Sequence, residues 1–233
     1  MKRLQNRESL RSGEDKHSEM KIAPRQRRAR VTIEAILDAT TELLVEHGVE
    51  NLSTNMICEK AGLTPPALYR YFPNKYAVLK ELAVRLKNMQ IDLFSQWLEK
   101  DGPMLVKEGG HGKPAPIAEA IYQLEMAIYS AMKESPANIW IARLVRTQPA
   151  MTELRSEWRA RSLMQLKEYL GLHTFYASLE EVFVCASVTV EFIHSTIEMV
   201  AENEALNPQM TFRTVANMVA AEFVRLATPE SER

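Results

Sequence analysis

The chain has 233 residues, 46% of them hydrophobic and 25% charged, with a formal net charge of −1, which is ordinary for a soluble globular protein. Two cysteines, Cys58 and Cys185, are too few and too far apart for a zinc site or a disulfide framework, and no stretch has the roughly 18 uncharged apolar residues of a membrane span. With 8 Gly and no long alternating Val/Ile/Thr run, the composition predicts an all-α protein of the cytoplasm.

The first 30 residues are basic, with ten Lys or Arg against four acids. They contain few large apolar groups, so we expect residues 1–30 to form a disordered arm. This arm is either a solvated tail or a segment whose arginines continue into the first helix and reach DNA phosphates or a minor groove. The arginines in question are Arg25, Arg27, Arg28 and Arg30.

Two helices with clear end signals follow the arm. The first is expected to begin at its cap, Thr32, and to end at His47–Gly48. The second is short, with Ser53 or Thr54 as its cap, and it stops at Gly62, where a left-handed residue costs least.

A third short helix, roughly residues 64–71, completes a helix-turn-helix pattern. Thr64 caps it and Pro65 occupies its first position, where a missing N–H costs nothing. If Leu68 and Phe72 face the core, the rest of the helix is left for solvent or for the DNA major groove. Those remaining residues are Pro65, Pro66, Ala67, Tyr69, Arg70 and Tyr71.

This third helix carries groups that suit DNA contact. The tyrosine hydroxyls and Arg70 can donate to phosphates, Arg also reads guanine, and the Thr64 methyl, Pro and Ala can contact thymine methyls. Asn74 caps the next helix, whose N-terminal N–H groups together with Lys75 would suit one backbone phosphate. For each tyrosine, a partly buried packing role is the alternative.

The run GLTPPALYRYFPNKYAVL resembles the DNA-binding domain of the TetR/AcrR family of bacterial transcriptional regulators, and the likeness covers about residues 31–84. The matching residues are Gly62, Leu63, Thr64, Leu68, Tyr69, Tyr71, Phe72, Asn74 and Lys75. The resemblance implies DNA contacts at Thr54, Asn55, Pro65, Pro66, Ala67, Tyr69, Tyr71 and Lys75. Because the adjacent prolines replace commoner polar residues, specificity is expected to rest on Asn55, Arg70, the basic arm and DNA shape.

A second, larger domain is predicted after the helix-turn-helix. The fourth helix, from residue 74 to about 100, is too long for a small DNA-binding domain and should bridge into it. A Gly- and Pro-rich loop at 101–116 is followed by helices at about 117–133, 136–146, 149–170, 178–204 and 208–227. The resulting domains are the arm at 1–30, the helix-turn-helix at 31–75, and a helical effector-binding and dimerisation domain at 76–233.

The last two helices predict self-association. Residues 182–190 carry no charge and are apolar on nearly every side, so this helix must be covered from more than one direction. A twofold dimer would present two recognition helices to successive major grooves, about 34 Å apart. The family resemblance implies a four-helix bundle of these helices, and burial within one subunit is the alternative.

Methionine and aromatic residues of the second domain predict either an apolar ligand cavity or ordinary core. The candidates are Met126, Tyr129, Trp140, Arg143, Met151, Trp158, Phe183 and Phe192. If Arg143 or Arg146 faced inward it would need an anion, such as a ligand carboxylate or phosphate, whereas exposure at a domain edge would need none. The effector is expected to be lipophilic or amphipathic.

Glu191, His194 and Glu198 share a helix face at a spacing that metal ligands use, although a His–Glu hydrogen bond explains them more simply. The sequence contains no phosphate-binding loop, nucleophile elbow or second His/Cys cluster, so no enzyme activity, metal or cofactor is expected. We therefore expect a homodimeric DNA-binding regulator, a repressor in most of the resembled family, that leaves a palindromic operator when a small molecule binds. A DNA-binding scaffold or protein-interaction module without an effector, or a helical enzyme, are the alternatives.

Overall fold

The computed structural model describes residues 24–105, 114–173, 175–229 and 231. Within those residues every regular element is helical, which confirms the predicted all-α class. The helices are α1 (Pro24–Asn51), α2 (Thr54–Ala61), α3 (Pro65–Tyr69), α4 (Lys75–Lys100), α5 (Pro114–Lys133), α6 (Pro136–Thr147), α7 (Thr152–Gly171), α8 (Leu179–Glu202) and α9 (Pro208–Leu226).

Helix α1 begins at Pro24, well before the predicted cap at Thr32. The Thr32 hydroxyl donates to the Arg28 carbonyl one turn earlier, at 3.0 Å, so it lies inside the helix and caps nothing. Residues 24–30, expected to belong to a disordered arm, are therefore helical, and the rest of that arm lies outside the described residues. The predicted end at Gly48 is where the backbone leaves helical geometry, with φ 72° and ψ 174°.

The turn between α2 and α3 follows the predicted end signals at Ser53 and Gly62, whereas Thr64 stands at the start of α3 without the predicted side-chain capping hydrogen bond. The Ser53 hydroxyl accepts a hydrogen bond from Met56 N at 3.2 Å, and Gly62 adopts φ 64°. Leu63 N then donates to Cys58 O at 2.9 Å, which satisfies a carbonyl at the end of α2. Buried Leu68 and Phe72 hold α3 against the core, as predicted.

Helix α4 runs from the helix-turn-helix into the larger helical domain. The Asn74 side chain caps it by accepting from Ala77 N at 3.0 Å. Arg85 forms a two-pronged ion pair with Glu34 of α1, at 2.6 and 2.9 Å, and Trp97 Nε1 donates to Ala120 O of α5 at 2.8 Å. One helix is therefore fixed at both ends to different parts of the protein.

The remaining helices form the second domain, in which α5 packs along α9, α8 lies between α7 and α9, and α6 reaches α1. Helix α8 is long and apolar enough to span a membrane, but half of its apolar stretch is buried inside the protein, as in a core helix. The predicted loop after α4 differs at residues 102–105, which form a 3₁₀ helix with Leu105 buried. Residues 106–113 of that loop lie outside the described residues.

Candidate DNA-binding surface and effector cavity

The outer surface of α3 is open and aromatic. Pro65, Pro66 and Arg70 are exposed, as is Thr64 just before them, whereas Ala67 is half-buried. The Tyr69 side chain is 50% exposed, and its hydroxyl lies 3.0 Å from Thr54 Oγ1, so it links α3 to the start of α2. This link holds the Tyr69 hydroxyl, at the end of α3, against the start of α2.

Tyr71 has a different environment from Tyr69. Its ring is half-buried and packs against the hydrophobic core, which agrees with the packing role held open for each tyrosine. The Arg70 guanidinium lies 5.7 Å from the centre of the Tyr71 ring, within cation–π range. The Tyr71 ring thus packs against one side of the exposed Arg70 guanidinium. Asn55 on α2 is also exposed.

The Lys75 ammonium does not point to the surface expected to bind DNA. Lys75 Nζ donates to Leu52 O at 2.9 Å and to Val49 O at 3.2 Å. Both carbonyls lie in the connection between α1 and α2, where a lysine supplies donors that the backbone lacks. This arrangement differs from the predicted phosphate contact, because in this structure the ammonium holds the domain together.

The basic start of α1 offers further positive charge. Arg27, Arg28 and Arg30 are exposed within about one turn of the helix. Exposed guanidinium groups attract DNA phosphates, and this attraction does not depend on the base sequence of the DNA. The structure places these groups on α1, which agrees with the alternative in which the arginines continue into the first helix.

Helix α6 joins the second domain to the DNA-binding end. The Trp140 ring lies so close to Gly48 that a Cβ at that glycine would be 3.7 Å from it. Arg143 stacks over the Trp140 ring at 5.3 Å and lies 3.9 Å from Glu202 of α8, which also pairs with Arg146. Both arginines therefore face outward and already have an acid, so the inward-facing anion site suggested for them is wrong.

The eight residues proposed to line a ligand cavity do not meet around one. Met126 and Tyr129 lie half-buried on α5, with Tyr129 edge-on to Phe212 of α9 at 5.5 Å. Trp140 and Arg143 border α1, Met151 is buried in the turn before α7, and Phe183 lies 5.2 Å below the Lys167 ammonium. Phe192 is 41% exposed on the outer face of α8. Of the set, Trp158 lines an interior cavity of the second domain.

Two adjoining interior cavities lie between α4, α5, α7 and α8, and both are bordered by Ile128 and His194. The larger one has aromatic and aliphatic walls, including Phe94, Trp97 and Phe223. Each leaves about 10 Å³ open to the centre of a water molecule, which is room for about one water. The interior is therefore nearly closed in this structure.

The smaller cavity has charged and polar walls that the sequence analysis missed. Lys87 is 3% exposed and Gln90 is 4% exposed, although both lie on α4 among core residues. Lys87 Nζ is 3.2 Å from Gln90 Oε1, 3.9 Å from the centre of the Trp158 ring and 3.9 Å from Glu198 Oε1. Burial lowers the pKa of Lys87 to about 8, although the nearby Glu198 carboxylate opposes the change.

His194 lies against this cluster and not in a metal site. Its ring is 8% exposed and packs on the Trp158 ring, with centres 3.8 Å apart. Burial, together with the Lys87 and Arg159 charges, holds the pKa of His194 well below its usual value, so the imidazole is neutral. Glu191 pairs with Arg159 at 2.8 Å and Glu198 faces Lys87, and the described residues contain no metal-ligand group. Neither the metal site nor the His–Glu hydrogen bond is formed.

A sequence signal for the buried cluster did exist. Lys87 follows buried Ala83 by four residues and Gln90 follows buried Leu86 by four, so both continue the apolar stripe of α4. A charged residue on the buried stripe is rare unless it is paired or binds a ligand. Met89 and Leu93 of the same helix are apolar but only half-buried.

A long apolar groove lies on the outer surface of α8 and α9. Val184, Val188 and Phe192 of α8 and Met218 of α9 line it, and Val184 and Met218 are more than half exposed. These four residues are called the outer groove below. Cys185 is buried beneath it, which raises the pKa of the thiol to about 11, and the pKa of buried Cys58 is also raised. Both thiols are therefore protonated, as expected of small hydrophobic residues.

Comparison with known proteins supports these observations. Residues 36–82 match the family model described as bacterial regulatory proteins, tetR family. The tetracycline repressor protein class D of Escherichia coli is 41% identical over 58 residues, which are 25% of this chain and 27% of that protein. The chain thus aligns with about a quarter of the length of the curated relatives it matches.

Similar solved structures extend the likeness to the whole fold. A putative TetR-family transcriptional regulator from Syntrophomonas wolfei superimposes with a TM-score of 0.57 at 15% identity, covering 86% of this chain and 96% of the other. The SmeT–triclosan complex superimposes with a TM-score of 0.59 at 16% identity, covering 82% and 90%. The helix-turn-helix region of the chain thus matches the TetR family of bacterial regulatory proteins, and most of the chain shares the fold of solved TetR-family structures.

Proposed function

We propose that this protein is a cytoplasmic transcriptional repressor that binds a palindromic operator as a homodimer and releases it when a small molecule binds the second domain. The observation that carries this proposal is the α2–α3 pair. Its exposed face presents Asn55, Tyr69 and Arg70 on a scaffold that buries Leu68 and Phe72. A helix held in this way can enter a major groove.

The contacts of α3 suggest how the operator is read. Arg70 is exposed and can pair with a guanine edge or a phosphate, while Pro65 and Pro66 can only make apolar contacts. The exposed arginines at the start of α1 add phosphate contacts. We therefore assign base recognition mainly to Arg70 and Asn55, with Tyr69 as a phosphate donor.

The outer groove supports a dimer through α8 and α9. Four apolar side chains line it, flanked by Glu180 and Arg225, and an apolar centre with a polar rim is the usual anatomy of an interface. A second copy of the same groove would cover these side chains by a twofold axis. This dimer would hold two copies of α3 on one side of a DNA duplex.

The interior cavities and α4 support release by an effector. The cavity walls include Phe94 and Trp97 of α4, and Arg85 of the same helix is fixed to α1. A ligand that opens the cavity must shift these side chains, and α4 carries the shift toward α3. The ligand need only prefer the shifted form for the operator to be released. The SmeT–triclosan complex shows that a protein of similar fold binds a small molecule.

The DNA-binding proposal is tested with the Arg70→Ala variant. Duplexes selected from a random library by the full-length protein serve as operator, and affinity is measured by fluorescence anisotropy. We expect Arg70→Ala to weaken binding by about 10-fold or more, since a good Arg–guanine pair is worth roughly 1–3 kcal/mol. Lys133→Ala is the control, because Lys133 is equally exposed but lies at the end of α5. Equal affinities of all three proteins would contradict the assignment.

A further inference from the structure

We propose that the effector is an amphipathic anion, whose carboxylate or similar acidic head group binds at Lys87 while its apolar chain enters the cavity beyond His194. This inference rests on the proposed function, because it names the chemical class of the effector. It is carried by a buried ammonium group with spare donors at one end of an apolar cavity.

Lys87 has more hydrogen-bond donors than the surrounding protein uses. Its ammonium carries three N–H groups, and Gln90 Oε1 accepts one at 3.2 Å. Glu198 Oε1 at 3.9 Å is too distant for a hydrogen bond, and the Trp158 ring covers another side of the ammonium at 3.9 Å. A buried ammonium with only part of its donors satisfied is costly, so an anionic oxygen placed here is strongly stabilised.

A second unpartnered donor lines the same cavity. Trp158 is 4% exposed, and its Nε1 finds no hydrogen-bond partner among the described residues. Trp158 and Lys87 therefore both present donors that need acceptors, and the two oxygens of a carboxylate can supply one to each. A cationic head group would instead leave both donors unmet and would be repelled by Lys87 and Arg159.

The charges that face Lys87 come from two neighbouring helices. Glu198 approaches it from α8, and Arg159 of α7 adds positive charge while forming an ion pair with Glu191. His194, also on α8, is neutral because burial holds its pKa down. An arriving carboxylate adds to the Gln90 acceptor and competes with the Glu198 carboxylate, which lies 3.9 Å away and is partly open to solvent at 14% exposure.

The apolar end of the site adjoins the polar end at Ile128 and His194. Beyond them, Phe94 and Trp97 stack with ring centres 5.8 Å apart, and Phe223 and Ile193 close the far wall. Such walls offer an alkyl or aromatic chain no polar partner, so they select the apolar part of the ligand. Because the cavity is nearly closed, the chain must displace these side chains as it enters.

This placement connects recognition to DNA binding. Lys87 lies two residues after Arg85, whose guanidinium is fixed to Glu34 of α1. Phe94 and Trp97 lie on the same helix farther along. Head group and chain therefore both act on α4, the helix that begins immediately after the recognition helix.

Isothermal titration calorimetry with the full-length protein tests the inference directly. The probes are decanoate, decan-1-ol and decyltrimethylammonium, which share one chain and differ in the head group. At pH 7 we expect decanoate to bind at least 10-fold more tightly than decanol, and the cation to bind least. Lys87→Gln should abolish the preference for decanoate while changing decanol affinity less than threefold. Lys80→Gln, an exposed lysine of the same helix, should keep the wild-type preference.

The pH dependence of wild-type binding gives a second test that needs no variant to fold. Burial lowers the pKa of Lys87 to about 8, so the free site loses its positive charge above that pH. Decanoate affinity should then fall by up to about tenfold per unit as the pH rises from 8 to 10, whereas decanol affinity should not change. An ordinary surface lysine would keep its charge across this range.

Several results would overturn the inference. They are equal binding of decanoate and decanol to the wild type, a preference that survives Lys87→Gln, and no binding of any probe at millimolar concentration. Operator affinity measured without probes stays a separate readout. Operator binding with no head-group preference would reject the amphipathic anion alone, whereas loss of operator recognition would reject the proposed function.

Discussion

Helices α3 and α8 use their surfaces in opposite ways. Five residues make up α3, with Leu68 buried and the other four side chains facing outward or half-covered. Helix α8 has 24 residues and two functional faces: an inner one with His194 and Glu198, and an outer one with the apolar groove. The exposed side chains of a short helix with one buried anchor can be predicted from its own sequence. For a long helix covered on two sides, the burial of each side chain depends on which other elements pack against it.

The difference shows where the chemistry of the protein is encoded. At α3 the exposed groups follow directly from a cap, a glycine turn and two apolar anchors within a few turns of chain. At α8 the role of the inner polar groups depends on their contacts with Lys87 of α4 and Trp158 of α7. The outer face carries the exposed apolar groove, which a second copy of the chain would cover in the proposed dimer.

The largest expected effect comes from the outer face of α8. We expect Val188→Glu to convert the dimer to monomers and to weaken operator binding by 100-fold or more, since the unpaired carboxylate would be buried at the interface. Sedimentation velocity and operator anisotropy measure the two effects. Ala160→Glu, an exposed site on α7, is the matched control. A Val188→Glu protein that remains dimeric would show that the outer groove is not the interface.

The next effect concerns Glu125, a carboxyl buried on α5. Neither of its oxygens has a partner among the described residues, and burial raises its pKa to about 8. The folded protein keeps this proton while the unfolded chain releases it, so the free energy of unfolding should fall as pH rises from about 5 to 8. The slope is at most about 1.4 kcal/mol per pH unit.

Urea denaturation at pH 5, 6.5 and 8 checks this expectation with Glu125→Gln. The glutamine variant should lose most of the decline in stability, because it cannot ionise. Glu168→Gln, an exposed glutamate on α7, should decline as the wild type does. Parallel curves for the wild type and Glu125→Gln would mean that this carboxyl does not control the pH dependence.

The smallest effect belongs to the support of the helix-turn-helix. Lys75→Met should lower the free energy of unfolding by about 1–3 kcal/mol, because the carbonyls of Val49 and Leu52 lose their donor. Thermal and urea denaturation measure this, with Lys80→Met as the exposed control. If Lys75 acts mainly on stability, operator affinity of the folded variant should fall less than that of Arg70→Ala. A larger loss of operator affinity for Lys75→Met than for Arg70→Ala would instead support the predicted contact between Lys75 and a DNA phosphate.

The sequence was sufficient for the helical class and for the helix-turn-helix. Ser53, Gly62 and Asn74 act as the predicted end signals because caps and left-handed glycines depend on local backbone chemistry. The start of α1 was misplaced because Thr32 can satisfy its hydroxyl inside a helix as well as at a cap. Local sequence signals therefore predict the end of a helix only where continuing the helix past the signal residue would be energetically costly.

The second domain was less predictable for a physical reason. Met and aromatic residues at helical spacing can line a cavity, fill a core or face a partner. In this structure Trp158 lines a cavity and Met151 fills the core, while Phe192 would face the second copy in the proposed dimer. Which of these happens depends on packing between distant helices. The buried ammonium of Lys87 was missed because its surroundings come from Trp158 of α7 and Glu198 of α8, which lie far from it in the sequence.

The most direct test of the account is the ratio of affinities for a selected palindromic duplex and a scrambled duplex of the same composition. Full-length protein is titrated into each labelled duplex at physiological salt, and the anisotropy and stoichiometry are recorded. We expect two chains per palindrome and a selected-duplex affinity at least about 1,000-fold above the scrambled one. Equal affinities for the two duplexes would contradict sequence-specific recognition by α3.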